Sequence, residues 1–485
     1  MANKIHHRRL SFGDHNFFAY ALLLFFLAGC KSASNENENV TQPPESSGAE
    51  SAFLELKILS ELGDLGFDPI TGKPLIWDTS HVADLTGDGK NDLLIYTTYD
   101  HDLQLTPSPF LVLSERNGSL ADITHEVFPR GAPKAVNNRN VLTADINGNG
   151  LIDIFLDNHG TEAIFPFPGE RNQIFFSNER GEYFEYTDTH LPDVRDFSHG
   201  SAIADINGDG KKEIFVNNLG GGEKRHYLLI QDGEGKFRIS VDFEHASDPM
   251  RMFPPQVFDS PGPFWSIFVD ANGNELPDLY FNAVRGVWGG DFDNVLLKNK
   301  GSNRFELVSP DFMPSLWRFE GFDPPVAHVE AQVVADITGN GLSDLLSFVR
   351  YGDFVGSYFS VMVNVEDGFF VNKTEEIIPG QDFGPISTNI PSFQLVDING
   401  NGNLDLVSAR YIWISEEGGE NEILREIRLN DGEGRFLRTG DVPEFHPAFA
   451  VIDANGNGFK DIVTGIRDFS SLGETQIGVF YNSGP

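Results

Sequence analysis

Short apolar or alternating stretches, each roughly four to eight residues long, dominate the chain. Examples are residues 92–96 and 173–176, whose patterning is typical of β-strands that bury one face or both. Strongly helical stretches with a period of 3.6 residues are hard to find. The many glycines and prolines, 50 and 27 of the 485 residues, punctuate the apolar stretches as turns. The pattern predicts an all-β protein.

One nine-residue pattern recurs seven times and ends each time just before an apolar stretch. It reads Asp-x-(Asn/Thr)-Gly-(Asp/Asn)-Gly-x-x-(Asp/Glu), with one departure from the second glycine. The copies begin at Asp84, Asp145, Asp205, Asp270, Asp336, Asp397 and Asp453, at steps of 61, 60, 65, 66, 61 and 56 residues. A period of this length holds about four short strands. One repetitive domain is therefore favoured over two or three ordinary ones.

Each repeat divides into four predicted strands. A first strand ends at the nine-residue loop, a second leaves it, and a third and fourth flank a tight turn. Examples of the four are residues 141–144, 154–156, 227–230 and 236–239. The turn contains Asp-Gly, as at residues 231–235, and this pair is a hairpin signal because glycine accepts the positive φ that such turns need. Seven antiparallel four-stranded units resemble the blades of a β-propeller.

The two ends of the chain are predicted to close the ring. After the seventh loop only two strands remain, at residues 461–465 and 476–481, so the last blade lacks an outer strand. Residues 51–57 precede the first loop and match the fourth-strand pattern of residues 303–308. Pairing of the two ends within one blade would remove two exposed sheet edges. An eighth blade or an open array is the competing interpretation.

The N-terminal residues 1–29 are predicted to be a signal peptide. Basic residues precede an apolar run at 17–27, and the run ends in Leu-Ala-Gly before Cys30, the single cysteine. This arrangement resembles the lipobox of bacterial lipoproteins, in which the cysteine is lipidated and becomes the mature N-terminus. The absence of an acidic residue after Cys30 fits outer-membrane retention, by the same resemblance. A plain secretory signal or a short membrane anchor is the alternative, and Arg8-Arg9 matches twin-arginine export poorly.

Residues 30–51 are predicted to be a flexible tether, and residues 52–485 the propeller. The tether is rich in Ser, Asn, Glu and Pro and cannot bury a core. The formal charge of −37 argues against nucleic acid as a partner, because a chain without a basic surface gains nothing from phosphates. Carboxylates crowded into seven loops would repel one another, and divalent cations would relieve that repulsion.

The seven loops have the chemistry of a calcium site. Ca²⁺ prefers six to eight oxygen ligands, and positions 1, 3, 5 and 9 carry side-chain oxygen in every copy, while position 7 offers its carbonyl. Glycine stands at position 4 throughout and at position 6 in six copies. The competing interpretation is that Asp, Asn and Gly simply form turns, which explains the residue types but not the constant ninth carboxylate. Zinc is disfavoured because no loop contains His or Cys.

The chain resembles the FG-GAP or VCBS repeat family, whose integrin α-subunit members form seven-bladed propellers with Ca²⁺ in such loops. The resemblance implies several structural Ca²⁺ ions. Their ligands, with position 7 acting through its carbonyl, would be Asp84, Thr86, Asp88, Lys90 and Asp92; Asp145, Asn147, Asn149, Leu151 and Asp153; Asp205, Asn207, Asp209, Lys211 and Glu213; Asp270, Asn272, Asn274 and Asp278; Asp336, Thr338, Asn340, Leu342 and Asp344; Asp397, Asn399, Asn401, Asn403 and Asp405; and Asp453, Asn455, Asn457, Phe459 and Asp461.

Two departures weaken this transfer of ligands. Thr86 and Thr338 replace the usual amide or carboxylate at position 3. The fourth loop has Glu275 at the second glycine position and Pro277 two residues later, which predicts the weakest site of the seven.

No catalytic residue is assigned from the sequence. His81, His199 and His328 stand three, six and eight residues before a loop aspartate, so they do not form a ring of equivalent positions, and ordinary strand histidines are favoured. Gly-x-Ser-x-Gly, His-Glu-x-x-His and phosphate-binding glycine loops are missing from the sequence. A glycosidase carboxylate pair would be easy to find by chance among seven acidic loops.

The partner is predicted to bind the face opposite the metal loops. That face carries the longest and most aromatic connections, including Trp265, Trp288, Trp317 and Arg318, residue types that stack on sugars or anchor protein interfaces. The alternative is that these loops fold back and plug the propeller.

The sequence thus predicts a lipid-anchored, calcium-stabilised propeller outside the cytoplasm that binds a protein or a polysaccharide and touches the membrane through its lipid only. A polysaccharide lyase or hydrolase on a propeller is the second hypothesis, and a structural envelope protein is the third.

Overall fold

The computed structural model describes residues 56–62, 65, 75–98, 106–161, 163–164, 168–222, 226–240, 263–283, 294–301, 305–308, 327–351, 356–366, 368–381, 392–413, 421–440, 442–466 and 475–484. The predicted signal peptide, Cys30 and the tether lie outside these ranges. Within them the chain forms seven four-stranded antiparallel sheets arranged as a β-propeller, as predicted.

The strands follow one another from blade to blade in chain order. The chain enters with β1 (Lys57–Ile58) and a 3-10 turn at Ser60–Leu62. Blade 1 contains β2 (Ile76–Ala83), β3 (Asp92–Thr98), β4 (Ser108–Arg116) and β5 (Ser119–Asp122), with β6 (Lys134–Ala135) added to β4. Blade 2 contains β7 (Asn138–Ala144), β8 (Asp153–Asn158), β9 (Gln173–Ser177) and β10 (Tyr183–Glu185). Blade 3 contains β12 (Ala202–Ala204), β13 (Glu213–Val216), β15 (Tyr227–Gly233) and β16 (Lys236–Ile239).

The remaining four blades repeat this arrangement. Blade 4 contains β17 (Pro263–Val269), β18 (Asp278–Ala283), β19 (Asn294–Asn299) and β20 (Phe305–Leu307). Blade 5 contains β21 (Ala327–Ala335), β22 (Asp344–Tyr351), β23 (Gly356–Glu366) and β24 (Phe369–Asn372). Blade 6 contains β25 (Ser392–Val396), β26 (Asp405–Trp413), β27 (Asn421–Asn430) and β28 (Phe436–Arg438). Blade 7 contains β29 (Phe449–Ile452), β30 (Asp461–Ile466) and β31 (Gln476–Phe480), and β1 is its fourth strand.

The first strands of the blades lie innermost. β2 contacts β29 on one side and β7 on the other, and β12 contacts β7 and β17 in the same way. Apolar side chains on facing sheets form a separate core between neighbouring blades. Leu94, Phe110 and Phe175 belong to the core between blades 1 and 2. The stability of the ring therefore comes from nearest-neighbour packing, as in other repeat proteins.

The ring closes at blade 7 as predicted, but the closing strand is β1 (Lys57–Ile58), at the C-terminal end of the predicted segment. Lys57 pairs with Val479 and Ile58 with Gly478, so the described strand begins where the predicted segment 51–57 ends. Residues 51–55 lie outside the described ranges. Leu59 then packs, almost fully buried, among apolar residues of blades 7 and 1. Burial of this side chain fixes the position of β1.

Three single-turn helices follow fourth strands and were not predicted from the sequence. They are α1 (Thr124–Val127), α2 (Thr187–His190) and α3 (Thr374–Ile377), counted over the described ranges. In each, the hydroxyl of the first threonine accepts a hydrogen bond from a third-strand amide, as in Val112 N–H to Thr124 Oγ1 at 2.9 Å. These turns direct the chain from one blade to the next.

One further small sheet interrupts the regular repeat between blades 2 and 3. β11 (Asp196–Ser198) pairs with β14 (Asn218–Gly222) as a two-stranded sheet. Both strands lie in connections on the face opposite the nine-residue loops. Blades 2 and 3 therefore share an elaboration that the sequence pattern did not predict.

Candidate functional site

The seven nine-residue loops connect the first and second strands of the blades and share one conformation. The glycines at positions 4 and 6 have positive φ, for example +74° at Gly87 and +84° at Gly89. Glu275, at position 6 of the fourth loop, also has a positive φ of +66°. This confirms the conformation expected at that position and places a side chain where glycine is preferred.

The aspartate at position 1 organises each loop. Asp84 accepts the N–H groups of Gly87 at 2.8 Å and Asp88 at 3.1 Å through Oδ1, and that of Gly89 at 2.9 Å through Oδ2. The bond from the position 6 N–H to Oδ2 recurs in all seven loops, all of which are described. The position 1 carboxylate therefore stabilises the turn through hydrogen bonds that need no bound ion.

Positions 3 and 5 add two further oxygens at the loop surface. The position 5 oxygen accepts the N–H of position 7 in every loop, as in Lys90 N–H to Asp88 at 2.9 Å. Where position 3 is asparagine, its oxygen accepts the N–H of position 5, as in Asn149 to Asn147 at 3.0 Å. Thr338 differs, because its hydroxyl donates to Asp344 at 3.2 Å.

The carboxylate at position 9 lies in the interior. Asp153 is fully buried; its Oδ2 accepts the N–H groups of Ile146 and Asn147 at 2.9 and 3.1 Å, and its Oδ1 accepts the N–H of Ser177 at 2.9 Å. Burial raises the pKa of Asp153 to about 6 and that of Glu213 to about 7. The ninth residue is always a carboxylate because it accepts backbone N–H groups from the loop and, in blade 2, from the third strand. The sequence did not reveal this structural reason.

The donor set at positions 1, 3 and 5 fits a hard cation. These oxygens are carboxylate, amide or hydroxyl, and an oxygen that accepts one N–H bond keeps a lone pair for another partner. Within the described ranges no group of three or more His, Cys, Asp or Glu side chains is arranged to hold a metal ion. Asparagine, threonine and backbone oxygens would therefore supply much of any coordination sphere, and the ligand roles listed above stay predictions.

A second group of polar side chains lies buried on the opposite face, where blades 2 and 3 meet. We call it the blade 2–3 polar network. Its members are Asn138, Asp157, Asn158, His159, Glu170, Asn172, Asp196, Ser198, His199, Ser201, Asn217 and Tyr227. They come from the ends of β7, β8 and β13, the small β11–β14 sheet and the connections beside them. Elements more than 80 residues apart in the chain therefore build one polar centre.

Burial shifts two carboxyl groups of this network towards their neutral form. Burial raises the pKa of Asp157 to about 7, although the hydroxyl of Ser201 donates to it at 2.8 Å. Burial likewise raises the pKa of Glu170 to about 7, while the Val136 N–H donates to it at 2.9 Å. The charge of Asp196 adds to the rise at Asp157. Desolvation thus outweighs the hydrogen bonds at both groups.

Two histidines stand next to each other in the network. Nδ1 of His159 lies 2.8 Å from the carbonyl of Ser198, so Nδ1 carries the proton that is donated to that carbonyl. The ring of His199 lies edge-on to that of His159, with centroids 5.4 Å apart. The sequence singled out His199 but missed His159, which follows the Asp-Asn pair at 157–158. A run of polar residues at the end of an apolar strand was the available signal.

The other two predicted histidines lie elsewhere. His81 is half-buried on β2, its Nε2 lies 2.9 Å from the hydroxyl of Thr143, and desolvation lowers its pKa to about 4. His328 is the second residue of β21. His81 on β2 and His199 beside β11 belong to different parts of the described structure.

A shallow surface depression, with a cavity volume of only about 10 Å³, lies beside the polar network. Arg171, Asn172 and Tyr227 line it with polar groups, and apolar side chains including Leu191 and Pro192 complete the wall. Asn172 also donates to Ser198 at 3.1 Å, so the depression and the network share residues.

The predicted aromatic partner site is described only in part. Trp265 lies on β17, partly buried against the core between blades 4 and 5. Trp288, Trp317 and Arg318 lie outside the described ranges. The partner role of these four residues stays a prediction, and Trp265 has a packing role.

Comparison with known proteins confirms the predicted repeat. Residues 84–156 match the family model described as FG-GAP-like repeat, so the chain carries a repeat of this type. Cartilage acidic protein 1 of Xenopus tropicalis is 24% identical over 257 residues, which cover 52% of this chain and 34% of that protein. The Homo sapiens protein is 24% identical over 271 residues, covering 55% and 35%. The chain spans about a third of the length of the curated relatives it matches.

Solved structures with a similar fold include sugar-binding and sugar-cleaving proteins. An Agrocybe aegerita lectin, whose structure concerns recognition of non-reducing terminal N-acetylglucosamine, has a TM-score of 0.45 and 18% identity and covers 77% of this chain and 88% of its own. The exotype rhamnogalacturonan lyase YesX has a TM-score of 0.38 and 12% identity, covering 90% and 77%. In the described part of this chain, no helix is long and apolar enough to cross a membrane.

Proposed function

We propose that this protein is an extracytoplasmic, lipid-anchored binding propeller that recognises a polysaccharide on the face of blades 2 and 3. Structural Ca²⁺ in the nine-residue loops would stabilise the scaffold, and Cys30 would carry the lipid. The loops and the binding face lie on opposite sides of the ring, so the two functions are physically separate.

The observation that carries the proposal is the break in the sevenfold repeat. One face bears seven loops of one conformation. The other face departs from the repeat where the β11–β14 sheet, the polar network and the depression coincide. Specific recognition needs a unique arrangement of polar groups, and functional residues concentrate on connections that a rigid scaffold positions.

The chemistry of the depression fits a hydroxyl-rich ligand. Arg171 lies at the surface beside an apolar wall, while Asn172 and Tyr227 form the buried polar floor, where they bond to Ser198 and Asp196. Polar groups beside an apolar wall are the combination by which proteins hold both the hydroxyls and the C–H face of a sugar. The guanidinium of Arg171 already pairs with Asp188 at 2.6 Å, which leaves no strong excess of positive charge for a polyanion. A neutral glycan is therefore favoured.

The proposal is tested with residues 52–485 on a glycan array, followed by titration of each bound glycan. Tyr227→Phe removes one hydroxyl from the depression and keeps the ring, so affinity should fall roughly tenfold. Tyr186→Phe is the matched control, because Tyr186 is exposed elsewhere. Equal affinity of the Tyr227→Phe variant would remove the depression as the binding site. Failure to bind any glycan, with a bound protein recovered instead, would favour a protein partner.

A polysaccharide lyase or hydrolase is the second candidate. Two carboxyl groups with a pKa of about 7, the buried Asp157 and the half-buried Glu170, favour it because acid–base catalysis works best with groups that titrate near the operating pH. Any glycan bound on the array should then be incubated with the protein and examined for chain shortening. Cleavage that disappears in Asp157→Asn would support the enzyme. Binding without turnover would support the binding propeller.

A further inference from the structure

One position near the end of each third strand is polar in all seven blades. The position is found by strand pairing. In blade 4, Leu279 follows the loop and pairs with Leu297 on the third strand, and the polar residue stands two positions after Leu297, at Asn299. The seven residues are Glu115, Ser177, Gln231, Asn299, Asn364, Asn430 and Asn482. Their sequence surroundings read as turns, but their contacts show another role.

The backbone of this position binds the loop of its own blade. The N–H of Asn482 donates to Oδ1 of Asp461, the ninth residue of that loop, at 2.7 Å. The same bond forms from Asn430 to Asp405 at 2.8 Å. Blades 2, 4 and 5 repeat it. The third strand is thus fixed to the buried carboxylate.

The side chain of this position binds the loop of the preceding blade. Nδ2 of Asn482 donates to the carbonyl of Ile398 at 2.8 Å, and Nδ2 of Asn430 donates to that of Ile337 at 3.4 Å. Asn364, Asn299 and Gln231 donate in the same way to Ala271, Ile206 and Ile146. Every acceptor is position 2 of a nine-residue loop. We call each of these inter-blade bonds a latch.

Blade 2 makes its latch with a different residue. Ser177 is too short, and the single hydroxyl hydrogen of Tyr183 on β10 is shared between the carbonyl of Ile152 at 2.8 Å and that of Leu85 at 3.1 Å. Asn299, Asn430 and Asn482 make the corresponding second bond, as Asn482 does to Lys460 at 3.2 Å. The same two carbonyls are therefore bridged by unrelated side chains, which marks the bridge as a feature of the fold.

The latches join the loops into a hydrogen-bonded belt. In blade 6, the N–H of Ile398 donates to Asp405 at 3.1 Å, and the N–H of Asn430 donates to the same carboxylate. The side chain of Asn430 then bonds to Ile337 in the loop of the preceding blade. In blades 4 to 7 the path from one ninth carboxylate to the next runs through one latch and one position 2 residue.

Blade 3 keeps its side-chain latch, from Gln231 to Ile146, but Glu213 receives only the N–H of Ile206. In blade 2 the latch is Tyr183, while Ser177 bonds to the ninth carboxylate. These groups are buried, where an unmade hydrogen bond is costly.

The belt is interrupted at the seam between blades 7 and 1. The equivalent residue there is Glu115, whose carboxylate cannot donate to a carbonyl when ionised. It accepts the N–H of Gly118 at 2.7 Å and pairs with Lys90, a residue of the first loop, at 2.5 Å. The seam is also where the chain ends close the ring.

We infer that the latches couple neighbouring cation loops, so that Ca²⁺ binding at one loop orders the adjacent loop, and that this coupling stops at the seam between blades 7 and 1. The inference rests on the calcium part of the proposed function. A cation that holds positions 1, 3 and 5 fixes position 2 between them, and position 2 is held by the next blade. The latch residues are positioning residues, since they touch the loop backbone and lie outside the predicted ligand set.

The test removes one latch without changing any loop. In the full-length protein, Asn430→Ala deletes the side-chain amide, whose oxygen also accepts the N–H groups of Gly432 and Gly434 in the adjoining turn, and keeps the backbone N–H. Hydrogen exchange of peptides that cover residues 336–344 is followed by mass spectrometry, in EDTA and over a Ca²⁺ titration. Exchange of this unaltered loop should rise roughly tenfold, and the Ca²⁺ concentration that protects it should increase. Asn430→Gln should restore both, because Gln231 makes the same bond in blade 3.

The matched control is Asn140→Ala. Nδ2 of Asn140 also donates to a carbonyl of the next blade, that of Ser201 at 3.1 Å, but outside the belt. It should leave the exchange of residues 336–344 unchanged. An equal rise in this control, or no rise in Asn430→Ala, would overturn the inference.

A gain-of-function variant covers the case in which Asn430→Ala does not fold. Glu115→Gln places an amide of the same length at the seam and should slow exchange in the loop at residues 453–461. Unchanged exchange there would count against the inference. Failure of the calcium proposal would give a different result. In that case Ca²⁺ would protect no loop of the unmodified protein. If the latches order the loops, the variants would still differ from the unmodified protein in EDTA.

Discussion

Lys57 and Val479 pair across the closure of the ring, although 422 positions separate them in the chain. Val479 is fully buried in the core between blades 7 and 1, and Leu59, two residues after Lys57, enters the same core. The last blade is therefore completed by the first strand, and separation of β1 from β31 would expose both a sheet edge and an apolar core.

The closure predicts unequal effects of two nearby leucines. Leu59→Ala should lower the free energy of unfolding by about 2–4 kcal/mol, because Leu59 is 1% exposed in a packed core. Leu56→Ala should change it by less than about 1 kcal/mol, because Leu56 is 38% exposed. Urea unfolding of both variants checks this. Similar losses would mean that burial of Leu59 does not secure the closure.

Removal of divalent cations should destabilise the protein. Ca²⁺ that binds the folded loops and not the unfolded chain stabilises by mass action, by about 2.7 kcal/mol at a concentration one hundred times the dissociation constant of one site. The melting temperature should fall in EDTA and recover when Ca²⁺ is added, while Mg²⁺ should restore less of it. A melting curve that EDTA leaves in place would end the calcium proposal.

The fourth loop should be the weakest cation site. Glu275 holds a φ of +66° that costs an L-residue roughly 1–2 kcal/mol, so Glu275→Gly should stabilise the protein by about 1 kcal/mol and strengthen Ca²⁺ binding at that loop. A crystal grown in millimolar Ca²⁺ should show lower occupancy there than in the sixth loop. Full occupancy at normal Ca–O distances would contradict the expectation.

The buried carboxyl of Asp157 should make stability depend on pH. Its pKa is raised from 3.8 to about 7 in the folded protein, so the folded state holds the proton more tightly than the unfolded state. The stabilisation from this group is complete below pH 3.8 and is lost as the pH rises through about 7. Asp157→Asn should remove this loss of stability, because asparagine does not ionise. The melting temperature of the variant minus that of the unmodified protein should therefore rise between pH 5 and pH 8, by roughly 4 °C at most.

Thermal melts at pH 5, 6, 7 and 8 measure this difference. Glu179→Gln is the control, because Glu179 is exposed in the turn between β9 and β10. The two variants should diverge steadily from pH 5 to about pH 7 and keep a nearly constant difference above it. Parallel curves across the whole range would show that Asp157 ionises without cost in the folded protein.

Local sequence signals determined the blades and the loops. Alternation with a period of two fixes which residues form strands, and a glycine with positive φ, such as Gly87, marks a turn wherever the chain folds. The count of loops gave the number of blades, and the unpaired fourth-strand pattern near Lys57 gave the closure. These inferences succeeded because they depend on neighbours a few residues apart.

The roles of polar side chains were decided by the tertiary structure. From the sequence, the position 9 carboxylate Asp461 was predicted to be a metal ligand and Asn482 had no assigned role. In the structure they bond to each other, and Asn482 also bonds to Ile398 in the preceding blade. The polar network around Asp157 likewise gathers residues from two blades and an additional sheet. A hydrogen-bond partner is chosen by which strands lie side by side and in what register, and segments 80 to 90 residues apart carry no local trace of that choice.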